Sequence, residues 1–279
     1  MQTRWNIELE HLRLGYGDTV VLDDISAVLP AGKISVILGA SGGGKSTLLR
    51  HIIGLSRPMD GKILLGGKDI FALSTKDFRM VRRRMGVLFQ DGALLGSLTL
   101  AENVGLPLTE HTKLPVHIIR EIVLHKLSLV GLGDFPEYYP SELSGGMRKR
   151  AGLARALVTD PPILLCDEPT SGLDPISAAQ MDELLLDMKK RFPEMTIVSV
   201  SHDMASVKAI ADHVLVLRNK GIAYVGSLDG LQNSQDSYLR RFLDRTPVHE
   251  EMLDDPKRVL SEETRKLMHD SLDSWLDRG

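Results

Sequence analysis

The sequence contains a single cysteine, Cys166, so an internal disulfide is excluded. Cys166 lies in the apolar run 163–166, where a free cysteine is expected to behave as a small buried hydrophobe. This sparing use of cysteine is typical of proteins from a reducing compartment.

Long apolar runs are absent as well. No run approaches the roughly 18 residues that cross a bilayer, and the first residues lack the apolar core of a signal peptide. The sequence therefore predicts a soluble chain whose role at a membrane would come through a partner.

An excess of basic residues is also missing. The 34 Lys and Arg residues are outnumbered by 37 Asp and Glu residues, which gives a formal net charge of −3. This balance excludes the basic footprint that is typical of nucleic-acid-binding proteins. One local basic run is predicted to be a solvated helix face and consists of Arg79, Arg82, Arg83 and Arg84.

Apolar residues make up 43% of the chain, which is enough for the core of one large α/β domain or two small ones. Residues 7–14 alternate apolar and polar, as a half-buried strand does. Mainly apolar runs at 33–38, 163–166, 196–201 and 213–217 predict buried strands. Strands of this kind that alternate with helical patterns indicate a largely parallel sheet.

One region interrupts this alternation. Residues 94–160 contain helical patterns that are separated by Pro107, Pro115, Pro136 and Pro140. This pattern predicts a mostly helical subdomain inserted into the α/β core.

The character of the sequence changes again after about residue 245. We expect one domain over residues 1–245 and a C-terminal extension over residues 246–279. Within the extension Ser261 fits a helix N-cap, and an amphipathic helix is predicted near 262–276. Its apolar side would need to pack on the chain's own domain or on another subunit.

A glycine-rich loop follows the predicted strand 33–38. The spacing Gly39-x-x-x-x-Gly44-Lys45-Ser46 matches the phosphate-binding P-loop. Glycines let the backbone turn its N–H groups around phosphate, and the helix that follows directs its positive end at the same anion. Lys45 would neutralise the β- and γ-phosphates, and the Ser46 hydroxyl would ligate Mg²⁺. The predicted nucleotide-binding residues of this loop are Gly39, Ala40, Ser41, Gly42, Gly43, Gly44, Lys45, Ser46 and Thr47.

A second buried strand, 163–166, ends in the two acids Asp167 and Glu168. An acid at the end of a strand beside the P-loop strand can hold Mg²⁺, usually through water, so Asp167 is a predicted metal ligand. A second acid can orient the attacking water and take its proton, so Glu168 is the predicted catalytic base. The alternative is that the two acids merely cap a helix.

The segment Leu143-Ser144-Gly145-Gly146-Met147 resembles the signature sequence of ABC transporter ATPases, which is usually written LSGGQ. Together with the P-loop and the acid pair, it makes residues 1 to about 245 similar to the nucleotide-binding domain of that family. Methionine in the last place would lose one hydrogen-bonding contact. The serine and the two glycines, which carry the main phosphate contacts, are retained.

Four further residues match the family's motifs in order along the chain. Tyr16 corresponds to the aromatic residue that stacks on adenine, and Gln90 corresponds to the Q-loop glutamine, which is also a metal ligand. Asp174, in Ser-Gly-Leu-Asp, corresponds to the D-loop aspartate. His202 corresponds to the switch histidine and is a predicted catalytic residue.

The resemblance implies a P-loop NTPase fold of ABC type within the α/β class. Such a fold has a RecA-like core, an N-terminal antiparallel β subdomain and an inserted α-helical subdomain. ATP and Mg²⁺ are the implied cofactors, and a second copy of the chain is an implied partner. In the family, the helix start at Ser144, Gly145 and Gly146 closes over ATP that is bound to the other subunit.

A narrower resemblance, to the ATPase subunits of Mla/Mce-type phospholipid transporters, rests on residues 84–94, 107–115 and 141–151. The Glu-His-Thr-x-Leu-Pro segment and the signature ending in methionine are its most specific features. It implies membrane permease subunits, an Mce substrate-binding protein and often a small regulatory subunit as partners, without nucleic acid. It also implies a peripheral position on the cytoplasmic face of the inner membrane.

Other functions stay open at this point. The chain could serve an ABC transporter for another cargo, such as lipoprotein release or small-solute import, and the co-purifying membrane proteins would discriminate between these cargoes. A non-transport ABC clamp is disfavoured because the long coiled-coil insertion of the DNA-repair members is missing. A regulator without turnover is disfavoured because Glu168 and His202 are both present.

Overall fold

The computed structural model describes residues 5–243 and residue 264. The described chain divides into two compact units between Ser234 and Gln235. The strands of the first unit are β1 (Ile7–Tyr16), β2 (Thr19–Leu29), β3 (Ile34–Gly39), β4 (Asp60–Leu65), β5 (Lys68–Asp69), β6 (Met85–Leu88), β7 (Ile163–Asp167), β8 (Thr196–Val200), β9 (His213–Arg218) and β10 (Gly221–Ser227).

The helices follow in the same order along the chain. They are α1 (Lys45–Ile53), α2 (Thr75–Arg82), α3 (Leu100–His111), α4 (Val116–Leu129), α5 (Gly145–Ala156), α6 (Pro175–Arg191), α7 (Met204–Ile210), α8 (Leu228–Gln232) and, in the second unit, α9 (Ser237–Leu243). No helix within residues 5–243 has both the length and the apolar content that crossing a bilayer requires.

The first sheet is antiparallel, with the strand order β2-β1-β4-β5. Strand β1 buries Ile7 and Leu9, then Leu12 and Leu14. In a regular strand, where alternate residues face the same side, these two pairs would lie on opposite faces. The pairing register of β1 shifts between Leu9 and Leu12, where His11 has φ 46°. This bulge returns the later leucines to the buried face.

The second sheet has the order β10-β9-β3-β8-β7-β6 and is parallel except for β10. Every residue of β3, β7 and β8 is buried, as expected for strands that are covered on both faces. The carboxyl ends of these strands meet at one edge, where ligands bind in open α/β sheets. The predicted α/β class, with an N-terminal antiparallel β subdomain, is confirmed.

The helices α3, α4 and α5 lie between β6 and β7 and pack against one another. The prediction that Pro107 separates two helical segments was wrong, because α3 runs through it. A capping box formed by Thr99 and Glu102 stabilises the start of α3, and buried Val104 and Leu108 anchor the helix on both sides of the proline. These contacts offset the one backbone hydrogen bond that a proline removes.

Cys166 is fully buried in the middle of the parallel sheet, as its apolar context predicts. Burial, reinforced by the neighbouring Asp167 carboxylate, raises the pKa of its thiol to about 12. The thiolate is therefore scarce at neutral pH, as is typical of a cysteine that packs in the core.

The predicted amphipathic helix near 262–276 lies outside the described residues, apart from Thr264. The predicted boundary near residue 245 likewise falls in a stretch that is not described.

Candidate active site

The loop between β3 and α1 holds the predicted phosphate-binding residues at the carboxyl edge of the parallel sheet. Gly42 and Gly44 have φ angles of 75° and 89°, in the left-handed region that favours glycine. A Cβ atom at Gly44 would also lie 2.8 Å from the Leu22 side chain. The helix α1 begins directly after Gly44, so its free N–H groups point toward the loop and suit an anion.

The Lys45 side chain lies beneath this loop and is only 6% exposed. Its ammonium donates to the carbonyl oxygens of Gly39 and Ala40, each at 3.0 Å. Burial lowers the pKa of Lys45, while the nearby carboxylates of Glu168 and Asp167 act in the opposite direction. The cation is thus held at the centre of the loop.

A hydroxyl and a carboxylate lie side by side next to Lys45. The Ser46 hydroxyl donates to Asp167 Oδ1 at 2.9 Å, across the gap between α1 and the end of β7. Oxygen atoms of these two kinds suit Mg²⁺, so the residues that are present fit this ion. At the rim of the loop, the Tyr16 hydroxyl lies 3.4 Å from Thr47 Oγ1, and the Tyr16 side chain is exposed.

Glu168 lies immediately beyond β7 in a left-handed conformation, with φ 51°. A non-glycine residue pays roughly 1 kcal/mol or more for such a conformation, and residues of this kind cluster at functional sites. Its backbone N–H donates to Val200 O at 3.1 Å. Its carboxylate Oε2 lies 2.6 Å from His202 Nδ1. The two predicted catalytic residues are therefore in direct contact.

The predicted signature residues lie at the start of α5. Ser144 caps this helix by accepting from the Met147 N–H at 3.2 Å. Gly145 is exposed, and Gly146 packs beside Ser177 of α6. No hydrogen bond within residues 5–243 joins Ser144, Gly145 or Gly146 to the loop 39–47.

Asp174 caps the neighbouring helix α6 and accepts from the N–H groups of Ile176 and Ser177 at 3.0 Å. Hydrogen bonds from the Ser177 side chain and backbone lower the pKa of Asp174. Gln90 lies two residues beyond β6, whose Leu88 is level with Cys166 of β7. It therefore reaches the same edge as Glu168, with an exposed side chain.

The structure adds one residue that the motif analysis missed. Lys149 of α5 is 5% exposed, and its ammonium donates to Glu168 O at 3.1 Å and to Ser171 O and Oγ at 2.5 and 3.1 Å. A sequence signal for it exists, because Lys149, Leu153 and Ala156 share one face of α5 and all three are buried. A lysine on an apolar helix face indicates a specific partner.

The comparisons with known proteins agree with this geometry. The family model described as "ABC transporter" matches residues 22–171. The chain is 43% identical over 240 residues to the intermembrane phospholipid transport system ATP-binding protein MlaF of Haemophilus influenzae, with 85% of this chain and 89% of that protein covered. It is 42% identical over 238 residues to MlaF of Escherichia coli K12, with 85% and 88% covered.

A mycobacterial relative carries a different name. The chain is 45% identical over 238 residues to the probable ribonucleotide transport ATP-binding protein mkl of Mycobacterium tuberculosis. The match covers 85% of this chain but spans only 66% of the length of that relative.

Solved structures show the same fold. The dimeric cassette MJ0796, in a post-hydrolysis state bound to ADP and Pi, aligns with a TM-score of 0.73 at 28% identity, over 80% of this chain and 98% of that one. The cbiO1 protein of Clostridium perfringens aligns with a TM-score of 0.75 at 30% identity, over 86% and 95%. The chain therefore belongs to the ABC transporter family and carries that family's ATP-binding ATPase domain.

Proposed function

We propose that this chain hydrolyses ATP as the motor subunit of an ABC transporter that moves phospholipid between membranes. The observation that carries the proposal is the contact of Glu168 with His202 at 2.6 Å, beside the hydrogen bond between Ser46 and Asp167. A base and its orienting partner thus lie next to a phosphate loop and an oxygen pair that suits Mg²⁺. We assign the catalytic domain to residues 1–245, with an extension over 246–279.

ATP binding is assigned to the loop 39–47. Its backbone N–H groups and the α1 N-terminus would surround the β- and γ-phosphates. Lys45 would donate to these phosphates in place of the loop carbonyls, and exposed Tyr16 would stack on adenine. Mg²⁺, held by Ser46, Asp167 and Gln90, would neutralise negative charge on the phosphates.

Hydrolysis is assigned to Glu168 and His202. The Glu168 carboxylate would orient the attacking water and accept its proton as a general base. His202 contacts that carboxylate, which restricts its direction, and at 55% exposure His202 can also face the terminal phosphate. Both groups lie at the ends of buried strands, which limits their movement.

The second half of each site would come from another copy of the chain. Ser144, Gly145 and Gly146 lie at a helix start of their own, away from the loop 39–47, and Asp174 lies at the start of the adjoining helix. They would contact ATP that is bound to the partner copy. The MJ0796 cassette, which is dimeric in its post-hydrolysis state, supports this arrangement.

A cleft of about 880 Å³ between α2, β6, α3 and α5 is the proposed docking site for the membrane permease. Phe89 lines the cleft and precedes Gln90, so an occupant would touch the segment that leads into the site. Arg79, Arg82 and Arg83 line one side and favour a segment with acidic residues or a helix C-terminus. The apolar lining includes Ile53, Leu55, Met85, Val87, Leu106 and Pro107.

The double substitution Arg79→Glu/Arg83→Glu is expected to weaken assembly with the permease, because both charges line the cleft. The rate of association should fall about 10-fold, since charges at an interface mainly affect this rate. ATP affinity of the isolated chain should stay unchanged. Biolayer interferometry on the detergent-solubilised permease measures the rate. Lys76→Glu, on the same helix but outside the cleft, is the control. Equal rates for the double variant and wild type would rule the cleft out.

The cargo proposal follows the two MlaF relatives, whose names specify intermembrane phospholipid transport. It includes an Mce substrate-binding protein, a small regulatory subunit and a peripheral position on the cytoplasmic face of the inner membrane. The second candidate is ribonucleotide transport, because the mkl relative carries that name at 45% identity.

Purification of the intact complex from its native membrane discriminates between these cargoes. We expect the chain to co-purify with a permease, an Mce protein and bound phospholipid, as measured by mass spectrometry of proteins and lipids. A complex with a solute-import permease and without an Mce protein would overturn the phospholipid assignment. Stimulation of its ATPase activity by a ribonucleotide cargo would favour the second candidate.

A further inference from the structure

Lys149 is a buried cation whose three N–H donors are all used. They reach Glu168 O, Ser171 O and Ser171 Oγ, within 3.1 Å in each case. Burial lowers the pKa of Lys149, while the carboxylates of Asp91 and Glu168 act in the opposite direction. Burying an ammonium is unfavourable unless it is fully hydrogen-bonded. The buried position of Lys149 therefore depends on these three acceptors.

The Glu168 carbonyl is the convergence point of this arrangement. It accepts from Lys149 Nζ, from Ser171 Oγ at 3.0 Å and from Ser171 N at 3.2 Å. These bonds set the plane of the peptide that follows Glu168, a residue whose backbone is in the unfavourable left-handed region. Because the Cα–Cβ direction depends on that backbone, they also set where the carboxylate points.

The helix that carries Lys149 begins at the signature residues. Lys149 lies five positions after Ser144, which is roughly 7.5 Å along the axis of a helix. The same helix holds the segment after Gln90, because the Arg155 guanidinium donates to Gly92 O and Ala93 O at 2.8 Å. A displacement at the start of α5 would therefore reach the Glu168 backbone directly.

We infer that Lys149 is a positioning residue that ties the start of α5 to the Glu168 carboxylate of the same chain. On the proposed function, on which this inference rests, the start of α5 receives the ATP of the partner copy. Lys149 thereby makes the alignment of one catalytic base depend on the nucleotide at the other site.

Lys126 provides a matched control. It is also a buried lysine, 4% exposed, on another helix of the same region. Its ammonium contacts Asp160 at 2.5 Å and lies 5.7 Å from the centre of the Phe192 ring, without touching Glu168. Both lysines are therefore buried, but only Lys149 contacts the backbone of Glu168.

The substitution Lys149→Met, in the full-length chain, removes the donors while keeping the length of the side chain. We expect kcat for ATP hydrolysis to fall roughly 10- to 100-fold, as loss of alignment does. KM should stay within about twofold, because the ATP contacts of the chain are retained. Lys149→Arg, which keeps a cation with N–H donors, should recover part of kcat. Lys126→Met should lower the melting temperature and leave kcat within about twofold.

A double-mutant cycle tests the route through Glu168. If Lys149 acts through the carboxylate, adding Lys149→Met to Glu168→Gln should cost nothing further in single-turnover rate. A further fall as large as that of Lys149→Met alone would overturn the inference, and so would wild-type kcat in Lys149→Met. Where Lys149→Met does not fold, Ser171→Ala, which removes one donor from the same carbonyl, must lower kcat at unchanged KM.

Failure of this inference differs from failure of the proposed function. Absence of ATP hydrolysis by the wild-type chain would reject the proposed function itself, whereas wild-type turnover in Glu168→Gln would reject only the assignment of Glu168. A large loss in Glu168→Gln together with wild-type kcat in Lys149→Met and Ser171→Ala would reject only the role of Lys149.

Discussion

Glu168→Gln is expected to lower ATP turnover about 100-fold or more, as loss of a general base does. The amide keeps the shape of the side chain but cannot take a proton from water. ATP affinity should stay close to wild type, because the phosphate contacts are assigned to the loop 39–47. The variant should therefore bind ATP without hydrolysing it, and should accumulate as an ATP-bound dimer.

Two measurements on the purified chain check this result. Phosphate release gives the turnover, and size-exclusion chromatography with light scattering, in the presence of MgATP, gives the mass. Glu183→Gln, at an exposed position on α6, is the control and should behave as wild type in both assays. Unchanged turnover in Glu168→Gln would remove Glu168 from its catalytic role.

Lys45→Ala is expected to weaken ATP binding about 10- to 100-fold, which corresponds to the loss of one charge-assisted hydrogen bond. The ammonium is held at the centre of the loop by Gly39 O and Ala40 O, where it can turn to an incoming phosphate. Turnover at low ATP should fall in proportion to the lost affinity.

Isothermal titration with MgATP measures this change. Lys190→Ala, which removes an exposed lysine from α6, should leave the Kd unchanged. Thermal melting without nucleotide separates a local loss of affinity from unfolding. Equal ATP affinity in Lys45→Ala and wild type, with both chains folded, would contradict the assignment of the phosphate loop.

Much of the site could be predicted because its parts are local. The turn needs positive φ angles at Gly42 and Gly44, and glycine at these positions meets that need without help from distant residues. Lys45 follows directly after Gly44. Asp167 and Glu168 are adjacent and lie at the end of one strand, which the apolar residues of that strand predict. Patterns of this kind can be recognised in the sequence without knowledge of the rest of the fold.

Other features could not be predicted, because they depend on neighbours that are distant in sequence. The bulge at His11 arises because the buried face of β1 is set by two partner strands. The continuity of α3 through Pro107 depends on packing against α4 and α5, which outweighs the local preference to end the helix. The apolar helix face that carries Lys149 indicates that it has a partner, but Glu168 and Ser171 are brought to it only by the fold.

By itself, the sequence determined the candidate phosphate loop, the two acids, the signature helix start and membership of the α/β class. Each of these follows from local backbone geometry or from the period of apolar residues. Only the tertiary structure decided which of them meet. Because β8 lies between β3 and β7 in the sheet, His202 reaches Glu168 beside the loop 39–47. Because α5 packs near the same edge of the sheet, Lys149 reaches the Glu168 carbonyl. Strand order and helix packing are set by the burial of the whole core.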